Sequence, residues 1–140
     1  MSVSLNRFID AQDEYSFSKI LEELRYGEKI GHWMWFVFPQ LKALGTSSKS
    51  RFYGITSLVE AKAYWAHPVL GLRLRECLKN ILTSKKTALD ILGAIDSMKL
   101  HSCVTLFIEV AEDVSLLYSL LDEFFKGQPD KKTIDLIDKM

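Results

Sequence analysis

The sequence predicts an all-α protein, a compact bundle of about seven or eight short helices that forms one domain over residues 1–140. Three observations predict this fold class. Apolar residues recur every three or four positions along most of the chain, which is the period of a helix that buries one face. Capping residues, glycines and prolines stand where these patterns begin and end. The connections are short, and no repeat or low-complexity tract divides the chain.

The first predicted helix lies between Ser16, which suits an N-cap, and Gly27, which suits a left-handed C-cap. Its apolar face consists of residues at positions i, i+3, i+4 and i+7, namely Phe17, Ile20, Leu21 and Leu24. This spacing is typical of an amphipathic helix rather than a strand.

The run of six apolar residues from Trp33 to Phe38 is ambiguous, because such a run fits a buried helix or a buried strand equally well. Only Val37 in this run is β-branched, and helices are predicted around it. Helical spacing continues through the segment at Trp33, Phe36, Val37, Leu41 and Leu44. We therefore interpret it as a central helix interrupted at Pro39, and we expect at most a short extended segment between Phe52 and Ile55.

Two adjoining helices follow, with Pro68 between them. Ser57 and Glu60 form a Ser-x-x-Glu capping box, in which the hydroxyl and the carboxylate each bind a free backbone N–H group of the first turn. The helix that they open is expected to end near His67. Pro68 suits the first turn of the next, amphipathic helix. The apolar face of that helix contains Leu70, Leu74, Cys77, Leu78, Ile81 and Leu82.

Four more helices are predicted in the remainder of the chain. They cover residues 87–92, 97–111, 114–126 and a last short stretch that begins at Pro129 and Asp130, and Gly93 and Gly127 stand at two of the ends. The residues expected to face inward include Leu100, Cys103, Val104, Phe107, Ile108, Ala111, Leu116, Leu117, Leu120, Leu121, Phe124, Ile134 and Ile137.

Charge and composition limit the partners. Eighteen basic residues balance eighteen acidic ones, so no net charge attracts nucleic acid or an anionic membrane. No window approaches the roughly 18 apolar residues of a membrane span. We expect a cytoplasmic protein in which Cys77 and Cys103 are reduced core residues. The sequence leaves the oligomeric state open, with a monomer favoured.

Several short blocks of residues are unusual enough to indicate a family. They are His32-Trp33-Met34-Trp35-Phe36-Val37-Phe38-Pro39-Gln40, Tyr53-Gly54-Ile55, Glu60-Ala61, His67-Pro68-Val69-Leu70-Gly71, Arg73-Leu74, Lys99-Leu100, Ser102 and Thr105-Leu106-Phe107. From about Leu5 to Ile137 the chain resembles the bacterial family known as domain of unknown function 1810, whose members are sometimes labelled calpastatin. The resemblance implies a compact, mainly helical fold and brings no established activity. Calpastatin inhibitors are long disordered chains, whereas this composition demands a packed core.

Several kinds of functional site lack support in the sequence. His101 and Cys103 are two positions apart on a helix and point to different faces, and His32 and His67 have no partner at short spacing, so we expect no metal and no cofactor. The hydroxyl-rich residues 45–51, beside Lys42, resemble a phosphate-binding loop only loosely, and an ordinary solvated connection is the simpler interpretation. Covalent catalysis is unsupported rather than excluded.

A polar stripe on a predicted helix has two interpretations. Lys99, Ser102, Thr105 and Glu109 lie three or four positions apart on a helix whose other face is apolar. A solvated helix edge, with an ion pair between Lys99 and Glu109, is the structural interpretation. In the functional interpretation the stripe lines a pocket. It is supported by Ser102 and Thr105, because Ser and Thr suit a pocket wall or a hydrogen bond to a backbone carbonyl better than an exposed helix edge.

The leading functional hypothesis is a small-molecule pocket for a nucleotide-like or ADP-ribose-like ligand, and it leaves open whether the protein is an enzyme. Its candidate ligand-binding residues are His32, Trp33, Gln40, Arg51, Tyr53, Lys99, Ser102 and Thr105. Arg51 and Lys99 would supply charge, Trp33 or Tyr53 stacking, and Gln40 hydrogen bonds to a base edge. The alternative is a protein-interaction module without catalytic activity. A pocket requires these residues to converge on one cleft, whereas a module requires an exposed apolar patch of several hundred Å².

Overall fold

Helices make up 69% of the protein in the computed structural model, which describes residues 4–140. Within this range there are ten α-helices, one 3-10 turn at Lys42–Leu44, and no β-strand, so the all-α prediction is confirmed. The helices are α1 (Asn6–Tyr15), α2 (Phe17–Tyr26), α3 (Met34–Val37), α4 (Ser48–Phe52), α5 (Leu58–Ala66), α6 (Leu70–Thr83), α7 (Ala88–Leu92), α8 (Ala94–Ile108), α9 (Ser115–Phe125) and α10 (Lys131–Asp138).

The first helix, α1, has no counterpart in the sequence prediction. It buries Phe8 and Gln12 on its inner face, and the polar Gln12 interrupts the apolar spacing that would otherwise reveal a helix. Helix α2 follows at once and ends at Gly27 as predicted, with a positive φ of 89°. Ser16 stands at the N-cap position of α2, but its hydroxyl contacts Ser18 Oγ at 3.0 Å and caps no backbone N–H group.

The predicted central helix is interrupted at Pro39 as expected, but its helical part is shorter than predicted, and only a 3-10 turn follows the proline, at Lys42–Leu44. Only α3 is α-helical, because Pro39 has no N–H to donate and restricts the residue before it. The chain then pairs with a later segment in one parallel bridge: Lys42 N–H donates to the Ile55 carbonyl oxygen, and Ile55 N–H donates to that of Gln40, both at 2.9 Å. The expected extended segment is therefore reduced to a single bridge.

Helix α4 replaces most of the solvated connection that was expected at residues 45–51. Ser47 and Ser50 form a capping box, in which Ser47 Oγ accepts from Ser50 N–H at 3.1 Å and Ser50 Oγ accepts from Ser47 N–H at 3.0 Å. The helix includes Phe52, which excludes that residue from the extended segment.

The boundary between α5 and α6 is close to the prediction. Ser57 Oγ accepts from Glu60 N–H at 3.1 Å, but the Glu60 carboxylate accepts from Thr56 N–H and pairs with Arg7, so only half of the predicted capping box forms. Helix α5 ends at Ala66, and Pro68 lies in the turn before α6. His67 Nδ1 accepts from the first N–H groups of that turn, at 3.0 and 3.2 Å.

Two helices organise the core. Helix α8 packs against α5, α7, α9 and α10, while α6 packs against α2, α5 and α9. Cys77 on α6 and Cys103 on α8 are buried free thiols, and burial raises the pKa of both. At 15 residues α8 is the longest helix, and no helix within residues 4–140 has both the length and the apolarity to span a membrane.

Candidate functional site

One surface cleft contains several of the predicted ligand residues. It lies between the start of α8, the start of α10 and the segment after α3, with a volume of about 390 Å³. We call it the α8–α10 cleft, and it is lined by Gln40, Leu44, Ile95, Met98, Lys99, His101, Ser102, Asp130 and Lys132. Three of the eight candidates, from two distant segments, are therefore brought together.

Lys99 carries a positive charge on one wall of this cleft. Its Nζ lies 3.5 Å from Asp96 Oδ1 and 5.0 Å from the centroid of the half-buried Trp35 ring. Asp96 also pairs with Lys29, at the shorter distance of 2.8 Å. The sequence hypothesis of a Lys99–Glu109 ion pair is thus corrected, because Lys99 pairs with Asp96 one turn earlier on α8.

Ser102 joins the cleft wall to the start of α10. Its Oγ lies 3.2 Å from both the Met98 carbonyl oxygen and Asp130 Oδ2, either of which can accept its proton. The same Asp130 oxygen accepts from the N–H of Thr133 at 3.1 Å and from its hydroxyl at 2.6 Å. Asp130 Oδ2 therefore serves as the N-cap of α10.

Thr105 lies beneath the cleft rather than on its surface. The residue is buried, its Oγ1 donates to the His101 carbonyl oxygen at 2.8 Å, and the same oxygen accepts from Asp130 N–H at 2.9 Å. It therefore positions the α10 N-terminus that carries one wall of the cleft. Glu109, the last member of the stripe, is exposed at the C-terminal end of α8.

Trp33 is a core residue, with 0% of its surface exposed. Its indole N–H donates to Glu23 Oε1 at 3.0 Å, and the N–H groups of Ile30 and Gly31 donate to the same oxygen at 2.6 and 2.8 Å. The Tyr15 hydroxyl donates to Glu23 Oε2 at 2.7 Å. One carboxylate thus orders the connection between α2 and α3.

These contacts shift the pKa values of Glu23 and Tyr15. Burial acts to raise the pKa of Glu23, but the hydrogen bonds from Gly31, Ile30, Tyr15 and Trp33 favour the charged form and leave the pKa below its ordinary value. Burial and the adjacent Glu23 carboxylate raise the pKa of Tyr15 to about 12.

The remaining candidates lie elsewhere on the surface. His32 is exposed and shares a shallow depression of about 310 Å³ with Tyr53, Tyr15 and Glu14. The Tyr53 ring packs edge-on against Phe52, with centroids 4.9 Å apart. Arg51 lines another depression, about 520 Å³ in volume, beside Lys42 and Met140. The eight residues therefore do not converge on one site.

The cleft also contains residues that the sequence reasoning missed. Ile95 and Met98 precede the predicted Ser102 at helical spacing on α8, the three residues standing at i, i+3 and i+7, so this face was detectable from the sequence. Lys132 reaches the cleft only because α10 docks against α8, and no local pattern indicates that. Within residues 4–140, no group of three or more His, Cys, Asp or Glu side chains could hold a metal ion.

Comparisons with known proteins identify relatives without assigning a role. The model of the family described as protein of unknown function (DUF1810) matches residues 2–137. The crystal structure of the conserved hypothetical protein Rv1873 from Mycobacterium tuberculosis is similar, with a TM-score of 0.93 and 41% sequence identity over 96% of each chain. The search of curated proteins finds no match.

Proposed function

The chain belongs to the DUF1810 family of proteins of unknown function, and we propose that its α8–α10 cleft binds a nucleotide-like small molecule of the ADP-ribose type. The observation that carries the proposal is that Gln40, Lys99 and Ser102, which come from segments about sixty positions apart in the chain, line the same cleft. Its volume of about 390 Å³ lies in the range of small-molecule pockets.

The charges of the cleft suit a diphosphate. Lys99 and Lys132 present ammonium groups, and Lys132 is exposed. Oδ2 of the opposing Asp130 carboxylate accepts hydrogen bonds from the N–H and hydroxyl of Thr133, so this oxygen competes little for these cations. A phosphate group between two ammonium groups gains charge-assisted hydrogen bonds, which are about twice as strong as neutral ones.

The rest of the cleft suits a planar base. Leu44, Ile95 and Met98 supply apolar surface, and a methionine thioether makes favourable contacts with aromatic rings. The backbone carbonyl of Gln40 accepts from Ile55 N–H, and Gln40 is one of the residues that line the cleft. Its side-chain amide has both a donor and an acceptor for a base edge. Stacking was expected from Trp33 or Tyr53, but neither residue lines this cleft. In this proposal Leu44, Ile95 and Met98 contact the base instead.

Thermal unfolding in the presence of ADP-ribose tests the proposal. Ligand that binds only the folded state stabilises it by about 2.7 kcal/mol at about 100 times its Kd, which raises the melting temperature. Lys99→Met should abolish most of that shift, because a hydrogen bond to a charged group contributes about 1.5–3 kcal/mol. Lys19→Met is the matched control, since Lys19 is an exposed cation on α2.

Without ligand, the free energy of unfolding of Lys99→Met should lie within about 1 kcal/mol of the wild-type value, because Asp96 keeps its ion pair with Lys29. The proposal is contradicted if ADP-ribose leaves the wild-type transition unchanged, or if Lys99→Met and Lys19→Met respond to it equally.

A protein-interaction module is the second candidate, and one observation favours it. Ile95 and Met98, one turn apart on the cleft rim, have 72% and 68% of their surfaces exposed. A peptide that covered them would bury apolar surface without using the Lys99 charge. This alternative predicts no thermal shift with any nucleotide and loss of partner binding in Ile95→Asp.

A further inference from the structure

We propose that the protein has a second binding site, separate from the α8–α10 cleft, that takes a small phosphate monoester with an apolar substituent. It lies between α5, α6 and the connection from α8 to α9, in a cleft of about 510 Å³ that we call the α5–α6 cleft. Its polar and aromatic lining consists of Lys62, Trp65, Arg75, Lys79, Glu112 and Asp113.

Helical spacing brings three cations to this cleft. Lys62 and Trp65 are three positions apart on α5, and Arg75 and Lys79 are four apart on α6, so each pair lies on one face of its helix. The two helices pack against each other, which turns both faces toward the same groove. The ion pairs found within residues 4–140 involve none of the three cations.

Arg75 is oriented before any ligand arrives. Its Nη1 donates to the Trp65 carbonyl oxygen at 3.1 Å, and its Cζ lies 5.2 Å from the centroid of the Trp65 ring. The helices approach closely here because residue 71 is glycine: a Cβ at Gly71 would overlap the Trp65 carbonyl oxygen and lie 3.2 Å from Arg75 Nη1. A guanidinium has five N–H donors in a fixed plane, so four remain to bind an anion.

Two carboxylates also line the cleft, and they define which anion fits. Asp113 accepts from Ser115 N–H at 3.0 Å, and that hydrogen bond lowers the pKa of Asp113 and directs its charge to the start of α9. Glu112 is exposed at the rim and repels a second anionic group that extends toward it. One compact dianion therefore fits better than a chain of phosphates.

The shape of the cation set favours phosphate over carboxylate. Three cationic side chains from two helices line the same cleft, and donors that approach from different directions suit the tetrahedral oxygens of a phosphate monoester better than a planar monoanion. Ala66, Val110 and Leu116 form the apolar part of the lining and would cover the substituent. The Trp65 ring also packs on the buried Phe107, with centroids 5.6 Å apart, which anchors it to the core.

Calorimetric titration with phenyl phosphate tests this site. The wild type should bind it with a Kd of about 1 mM or lower, and Lys62→Met/Lys79→Met should weaken binding at least about tenfold for each lost cation. The control Lys19→Met/Lys139→Met makes the same change in net charge at exposed positions outside the cleft, and it should bind as the wild type does. Benzoate, a planar monoanion with the same ring, should bind much more weakly.

The proposal is overturned if the wild type gives no binding heat at about 10 mM phenyl phosphate, if the two double variants bind it equally, or if benzoate binds as well. Melting temperatures of both double variants check that they fold. ADP-ribose contains no phosphate monoester, and Lys99→Met should leave phenyl phosphate binding unchanged. The proposal for each site can therefore be refuted without affecting the other.

Discussion

At the scale of single residues, the polar groups inside the protein bind chain segments together. Glu23 accepts four hydrogen bonds, and Gln12 donates to the Phe36 carbonyl oxygen while accepting from Arg73 at 3.2 Å. Arg7 likewise donates to the carbonyl oxygens of Phe52 and Gly54. Within residues 4–140 no buried side-chain nitrogen or oxygen lacks a partner, so each of these groups offsets its own desolvation cost.

Glu23 makes stability depend on acid pH. Its pKa in the folded state lies below the ordinary value, so the charged form contributes stability above the unfolded-state pKa of about 4.3, and this contribution is lost as the pH falls through the folded-state pKa. Glu23→Gln should lower the free energy of unfolding at pH 7 by about 2 kcal/mol, because the amide cannot satisfy all the donors. Urea unfolding at pH 7 and pH 3 measures both effects.

The neighbouring Glu22→Gln is the control, since Glu22 is exposed on the same helix. An identical loss of stability on acidification in wild type and Glu23→Gln would show that Glu23 does not cause it.

The two tryptophans of the aromatic segment differ in burial. Trp33 is fully buried, whereas Trp35 is half-buried, with the ammonium groups of Lys49 and Lys99 at 5.5 and 5.0 Å from its ring centroid. Trp33→Ala should therefore cost about 3–5 kcal/mol of unfolding free energy, and Trp35→Ala clearly less. Denaturant unfolding of both variants measures the difference, and a larger loss for Trp35→Ala would refute this assignment of the core ring.

At the scale of helices, most elements follow from local pattern and the exceptions have identifiable causes. Helices α2 and α5–α10 show apolar spacing, most of them with capping residues, glycines or a proline at their ends, and these signals predict them to within a few residues. Helix α1 is not predicted because Gln12 is polar and faces inward, and α4 is not predicted because a helix of five residues is too short to show a period. The aromatic segment is apolar on all sides, so no pattern reveals where its helix stops.

The docking of α10 onto α8 depends on Thr105. Thr105→Val keeps the shape of the side chain but leaves Asp130 N–H without its acceptor, which should cost about 1–3 kcal/mol. Because the loss falls at the start of α10, its amides should exchange with solvent faster than those of α6. Hydrogen exchange measured residue by residue checks this prediction.

Ser119→Ala is the control for that experiment, because the Ser119 hydroxyl bonds a carbonyl of its own helix on an exposed face. Protection of α10 that stays equal in Thr105→Val and Ser119→Ala would mean that other contacts dock the helix.

At the scale of the whole molecule, the fold was far more predictable from sequence than the site. Periodicity reports which face of each helix is buried, and burial determines the all-α architecture. A cleft depends instead on how separate elements meet. Gln40, beside the bridge between Leu41 and Ile55, lines the same cleft as Lys99 on α8, and Lys132 lines it because α10 packs against α8. Trp33 and Arg51 have the residue types of a ligand site, yet the packing directs them elsewhere.

Titration of isotope-labelled protein with ADP-ribose, followed by residue-resolved NMR, tests the central claim that the α8–α10 cleft is a ligand site. The account predicts saturable shifts that concentrate at Gln40, Met98, Lys99 and Lys132, with little change at His32, Tyr53 or Arg75. The account would be contradicted by shifts that never saturate, or by shifts at those distant residues while the resonances of the cleft residues stay unchanged.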